Sequence, residues 1–174
     1  MVTRPMVVLI GPPGSGKTTV GRVLADALGV ALHDTDAAVE ARVGKSIADV
    51  FIDDGEPAFR ALERAEVARA LAHEPGVIAL GGGAPMDAAT QDALAGHVVV
   101  MLDVGIADAA KRVGFDQSRP LLAVNPRASW VALMKERRPT YERLAVHRVD
   151  TAGRTPEEIA AEIVALLRED GGQA

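Results

Sequence analysis

The chain has 174 residues, 48% of them hydrophobic, enough for a single domain with a sizeable core. A charged fraction of 25% excludes global disorder, and a formal net charge of -5 argues against a broad basic face for nucleic acid. With no cysteine, disulfides, zinc thiolates and cysteine nucleophiles are excluded.

In chain order, the first predicted element is an apolar strand over residues 6–10. It runs directly into Gly11-Pro12-Pro13-Gly14-Ser15-Gly16-Lys17-Thr18, which matches G-x-x-x-x-G-K-[ST] residue for residue. A helix is predicted over Lys17–Leu28, with Val20, Val23, Leu24 and Leu28 on one stripe and Gly29 as its stop. A weaker strand over residues 30–33 leads to Asp34-Thr35-Asp36. A long helical excursion follows over residues 37–72, its second half carrying Phe59, Leu62, Ala65, Val67 and Leu71 among charges. The strand over 77–80 ends in Gly81-Gly82-Gly83, and the strand over 97–102 ends in Asp103. Residues 114–126, GFDQSRPLLAVNP, are polar and turn-rich and read as a mobile loop. A last strand over 147–150 precedes a helix that starts with Thr155 as N-cap, Pro156 at N1 and Glu158 at N3, a capping box.

This alternation implies a three-layer α/β/α fold on a parallel sheet, with no internal repeat and no dividing linker. Residues 1–174 therefore read as one domain. No apolar run approaches the ~18 residues of a membrane span. The N-terminal apolar stretch is too short for a signal-peptide core, so a soluble cytoplasmic protein is expected.

The glycine loop stands between a strand and a helix, the context in which backbone N–H groups turn inward around phosphate oxygens. Gly14, Ser15, Gly16, Lys17, Thr18 and Thr19 are thus candidates for a nucleoside triphosphate. Lys17 reaches the β and γ phosphates and the Thr18 hydroxyl is placed for Mg2+. Asp34 and Asp36 follow the second strand at the carboxyl edge of the sheet, where ligands bind in open α/β folds. Extended residues alternate in direction, so the two acids are expected on one side. Asp36 ahead of Ala37-Ala38-Val39 would also serve as a helix cap, and Asp103 reads as a cap or turn more than as a metal candidate. The glycines at 81–83 permit close approach of a ligand or mark a plain turn. Arg60 has Glu63 one helical turn away to orient it, while Arg119 stands in the mobile loop. Arg137 and Arg138 precede Pro139 near a helix end, and Arg154 precedes the last helix.

Taken in order, GPPGSGKTT-x-GR, D-T-D, S-I-x-D-x-F-x-x-x-G-E-x-x-F-R-x-x-E, G-G-G, R-P-L-L and R-x-P-x-Y resemble the shikimate kinase family, of the nucleoside-monophosphate-kinase-like P-loop folds. The resemblance runs from about residue 7 to residue 154. It implies ATP-dependent phosphorylation of the shikimate 3-hydroxyl, in aromatic amino-acid biosynthesis. It also implies a central five-stranded parallel sheet, a substrate-binding segment within residues 39–63 and a lid over residues 114–126. By the same resemblance Asp36 binds the substrate hydroxyls and assists as base, and Asp34 holds Mg2+ through water. Arg60 and Arg137 clamp the shikimate carboxylate, supported by Glu63, Gly81, Gly82 and Gly83, with Phe51 and Phe59 as walls. Arg119 comes down with the lid onto the phosphates. Arg112 and Pro156 sandwich the adenine, with Arg154 nearby.

Arg138 makes the segment doubly basic and leaves open a carboxylate contact shared between Arg137 and Arg138. Competing readings are a gluconate kinase, a nucleoside monophosphate kinase and a non-catalytic ATP sensor. A monomer is expected, since no apolar stripe is left over.

Overall fold

The computed structural model describes residues 4–113 and 125–172. Strands β1 (Val7–Ile10), β2 (Leu32–Asp34), β3 (Val77–Ala79), β4 (Val99–Asp103) and β5 (His147–Asp150) form one sheet in the order β2-β3-β1-β4-β5. Every neighbouring pair is parallel, with Val8 opposite Ile78 on one side and Val99 on the other. The helices are α1 (Lys17–Leu28), α2 (Thr35–Val43), α3 (Ile47–Asp54), α4 (Glu56–His73), α5 (Ala88–Leu94), α6 (Ile106–Val113), α7 (Pro126–Leu144) and α8 (Pro156–Gly171). The expected α/β fold with five parallel strands is the one observed.

The continuous apolar run of β1 follows from its central place, with both faces covered. Val8 and Ile10 pack with Ile78, Leu80 and Met101 against Val67, Leu71, Trp130 and Tyr141 of α4 and α7. Val7 and Leu9 pack with Val77, Val100 and Leu102 against α1 and α8. Each such aliphatic side chain contributes about 1.5–3 kcal/mol on burial. A third, smaller cluster, Val39, Val50 and Phe59 with Val43, Ile47, Phe51 and Leu62, stands apart and holds α2, α3 and α4 together.

The helical excursion is divided by Gly44 (φ 73) and Gly55 (φ 86), both in backbone conformations that favour glycine. Two strands start two residues later than the sequence reading has them. Val30 is not in β2, because its N–H bonds to the Ala25 carbonyl and closes the C-terminal motif of α1 around Gly29. His97 is likewise used in a turn, donating to Leu94, so β4 starts at Val99. Helix α7 also runs on through Pro139 to Leu144, where an end was expected. Among the described residues no helix is long and apolar enough to cross a membrane.

The connection leaving β1 leads to β2 at one edge of the sheet, and the one leaving β4 leads to β5 at the other. Such a divergence opens a crevice outside the carboxyl ends of the strands. Residues 11–16, 34–36, 81–83 and 103 all lie at or just beyond those ends.

Candidate active site

The loop after β1 depends on its glycines for two separate reasons. Gly14 and Gly16 have φ of 82 and 88, and a Cβ on Gly14 would stand 3.0 Å from the Ala109 backbone. No side chain caps α1, so its first N–H groups and its dipole are left to the crevice. There Gly14, Ser15, Gly16, Lys17, Thr18 and Thr19 line a cavity of about 400 Å³. Lys17 Nζ donates to the carbonyls of Gly11 (2.7 Å) and Pro12 (3.1 Å) and to Ser15 Oγ (3.3 Å).

Arg112, Arg154 and Pro156 line the same cavity. Arg112 donates to the carbonyls of Gly14 and Ser15 (3.3 Å each) and to Thr151 Oγ1 (3.0 Å), tying α6 to the loop. Arg154 is held by the Asp150 carbonyl (2.8 Å) and Glu162 (2.5 Å).

Both acids of the D-T-D segment reach this cavity, though not by strand alternation. The strand stops at Asp34, and Asp36 lies in the first turn of α2. Asp34, not Asp36, is the helix cap: its Oδ1 accepts from the Ala37 N–H at 3.0 Å. Its Oδ2 accepts from the Thr18 hydroxyl at 2.5 Å. A hydroxyl and a carboxylate thus converge at the cavity edge, the hard oxygen donors that suit Mg2+. Among the described residues no three His, Cys, Asp or Glu side chains converge, so an ion here would need further ligands from water or phosphate. Thr35 between the acids is fully buried; its hydroxyl donates to the Ala79 carbonyl (3.3 Å) and accepts from the Gly81 N–H (3.2 Å).

The glycine triplet is the floor on which the remaining site residues rest. A Cβ on Gly81 would stand 2.5 Å from Asp36 Oδ1 and 2.8 Å from Glu63 Oε2. One on Gly82 would meet Arg137 Nη1 and Pro13 Cδ at 3.4 Å, and one on Gly83 would collide with the Arg60 guanidinium. None of the three has positive φ, so close approach alone requires glycine here.

Arg60 donates to Glu63 Oε1 at 2.8 Å and more loosely to Glu56 (3.3 Å), and its guanidinium lies 5.3 Å from the Phe59 ring centre. Burial works against the charge of Arg60, but Glu63 and Glu56 outweigh it and leave its pKa raised. Burial pushes the Glu63 carboxyl up, and the Arg60 and Arg137 guanidiniums pull it back only in part. Phe59 is buried in the small cluster with Phe51, ring centres 5.0 Å apart. Arg137 is almost wholly buried on α7.

Four residues in this arrangement carried no role in the sequence reading: Thr35, Trp130, Tyr141 and Thr151. Trp130 Nε1 donates to the Pro13 carbonyl (2.8 Å), and the Tyr141 hydroxyl to the Gly82 carbonyl (2.5 Å). The signal available is that each aromatic residue is the sole one of its type in the chain, and that Tyr141 closes the R-x-P-x-Y motif.

The sequence matches the profile of the family described as Shikimate kinase over residues 13–168. The chain belongs to the shikimate kinase family. Within the family, it is 61% identical over 165 residues to a shikimate kinase of Thermobifida fusca, covering 95% of both chains. A shikimate kinase of Salinispora tropica is 58% identical over 163 residues, 94% of this chain and 98% of that one. The structure of the Acinetobacter baumannii shikimate kinase in complex with shikimate superposes with a TM-score of 0.92 at 32% identity, covering 97% of this chain and 94% of that one.

In this shikimate kinase family member, the two arginines before Pro139 part company. Neighbouring helical residues are about 100° apart, and Arg138 faces away from Arg137, donating to both Asp103 oxygens at 3.1 and 3.3 Å. Arg138 is thereby engaged with Asp103, and Arg137 is the one of the pair that faces the glycine triplet. Asp103, weighed above as a metal candidate, instead receives Arg138 and Arg148. Arg119 and residues 114–124 of the expected lid lie outside the described residues.

Proposed function

We propose that the chain transfers the γ-phosphoryl group of ATP to the 3-hydroxyl of shikimate, giving shikimate 3-phosphate and ADP, a step toward chorismate and the aromatic amino acids. The observation that carries this reading is the convergence of Asp36, Glu63, Arg60 and Arg137 on a glycine triplet beside the phosphate loop. Two arginine forks suit a substrate carboxylate, and Glu63 holds one of them in place. Asp36 takes the hydroxyl proton as the oxygen attacks the γ phosphorus and the bond to ADP breaks. Lys17 and the N–H groups of residues 14–19 bind the phosphates, with Arg112, Arg154 and Pro156 at the adenine end. Thr18 and Asp34 would hold Mg2+, which neutralises phosphate charge when bound.

The protein acts as a single-domain, cytoplasmic monomer with its substrate-binding segment within residues 39–63, and its net charge of -5 suits a small-metabolite enzyme that binds no nucleic acid. The test is a coupled ADP-release assay with shikimate, gluconate, AMP or no acceptor. ADP release is expected to require shikimate and Mg2+. Equal turnover without shikimate, or a preference for gluconate or AMP, overturns the assignment.

A further inference from the structure

Helix α7 buries Trp130, Met134, Arg137 and Tyr141, which its 3.6-residue period places on one face. The face is polar at both ends. Trp130 donates to the carbonyl of Pro13 in the phosphate loop (2.8 Å), and Tyr141 to the carbonyl of Gly82 in the triplet (2.5 Å). Pro13 and Gly82 both line the cavity, and they are neighbours: a Cβ on Gly82 would stand 3.4 Å from Pro13 Cδ.

Among the described residues no peptide bond is cis. In a planar trans peptide the carbonyl and the following N–H point in opposite directions. Drawing the Pro13 carbonyl onto Trp130 therefore turns the Gly14 N–H away from α7. Drawing the Gly82 carbonyl onto Tyr141 does the same for the Gly83 N–H. Gly14 and Gly83 have no side chain to hold those planes, and glycine is the residue most free to turn. Burial pushes the phenol of Tyr141 up, against the pull of Arg137, which keeps its proton on the oxygen that Gly82 needs as donor.

We infer that Trp130 and Tyr141 are positioning residues, which from one helix face set the peptide planes at Pro13 and Gly82 and so the N–H groups offered to donor and acceptor. Arg137 sits between them, so the phosphate loop, the glycine triplet and one arm of the clamp share a single support. The inference rests on the reaction proposed above and deepens it. It divides the support by substrate: Trp130 acts on the nucleotide side and Tyr141 on the acceptor side.

The test removes each donor without removing its ring. Tyr141→Phe deletes one hydroxyl. Trp130 is the chain's single tryptophan, so incorporating β-(3-benzothienyl)alanine in its place exchanges the N–H for sulfur at that position alone. Trp130→Phe is the encoded counterpart, and the isostere reads the same bond if that variant does not fold. From the worth of one hydrogen bond, Tyr141→Phe should raise the shikimate KM roughly three- to tenfold with affinity for a non-hydrolysable ATP analogue within about twofold, and the Trp130 changes should do the reverse. Analogue affinity is measured by calorimetry without acceptor, so it stands whichever acceptor the wild type uses. A wild type inactive on shikimate would count against the proposed reaction and leave the nucleotide arm intact. Equal weakening of both ligands in each variant, or no change in either, overturns the assignment.

Discussion

Asp34 combines a structural duty with the chemical one proposed for it, and a single substitution can separate them. Its Oδ1 caps α2 while its Oδ2 accepts from Thr18. Asparagine caps about as well as aspartate, so Asp34→Asn should change stability by less than about 0.5 kcal/mol. Loss of the charge should raise the Mg2+ concentration for half-maximal rate by roughly tenfold or more. An Mg2+ titration beside a urea melt checks both, and an unchanged Mg2+ requirement would reduce Asp34 to a cap. Asp36 lies in the first turn of α2 and Asp34 is the cap, so Asp36→Asn keeps the cap, and it should lower kcat by roughly 10²–10⁴. Retention of wild-type kcat would remove it as the base. Gly81→Ala tests the floor beneath it. The new Cβ would press on Asp36 and Glu63, whose carboxylates are the far ends of side chains and can yield. A stability loss of about 1–3 kcal/mol is expected, with kcat/KM for shikimate falling roughly a hundredfold from the displaced geometry. Crystallography or NMR that found Asp36 undisplaced in an active Gly81→Ala variant would refute this account.

Elements are joined across the far side of the crevice by Asp103, at the end of β4. It accepts from Arg138 on α7 (3.1 Å) and Arg148 on β5 (3.0 Å), while Glu142 accepts from both arginines. Holding Arg138 there fixes the rotation of α7 that leaves Arg137 facing Gly82. Burial alone would raise the Asp103 carboxyl, but the two arginine bonds outweigh it and its pKa is lowered. The unfolded chain therefore binds this proton more tightly than the folded one. The contribution is fully present above the unfolded carboxylate pKa of about 4 and is lost as pH falls through the lower folded value. Asp103→Asn should cost about 1–2 kcal/mol at pH 7, held down by the exposure of Arg148. Denaturant melts of both proteins at several pH values check it. The gap should narrow as pH falls below about 4, and a gap constant with pH would point to a cause other than the ion pairs.

The whole molecule divides its apolar contacts among two large clusters on the faces of the sheet and one small cluster in the α2–α4 excursion. Fewer buried apolar contacts mean cheaper local opening. Hydrogen exchange should therefore find α2 and α3 opening at least about 2 kcal/mol below β1 and β4. Equal protection throughout would mean that the excursion opens only with the sheet. The same division explains what was legible beforehand. The parallel sheet, the phosphate loop, α1 and the capping box of α8 have signals that lie within a few consecutive residues, because strand alternation, glycine turns and caps are local physics. The ordered motifs likewise pointed to the family to which the chain belongs. The start of β2 was misplaced because the Val30 N–H could serve a strand or the end of α1, and its bond to Ala25 settled it. Asp34 and Asp36 reach one cavity through a helical turn, where alternation had supplied the right expectation for the wrong reason. Arg137 and Arg138 have the same chemistry, and only the packing of α7 against Asp103 and Gly82 tells them apart. The contacts of Trp130 and of Tyr141, the last residue of R-x-P-x-Y, were illegible because their partners are main-chain carbonyls 117 and 59 residues away. A carbonyl has no side-chain identity to read, so local periodicity named the elements and their chemistry, while the folded chain chose which backbone groups those side chains would hold.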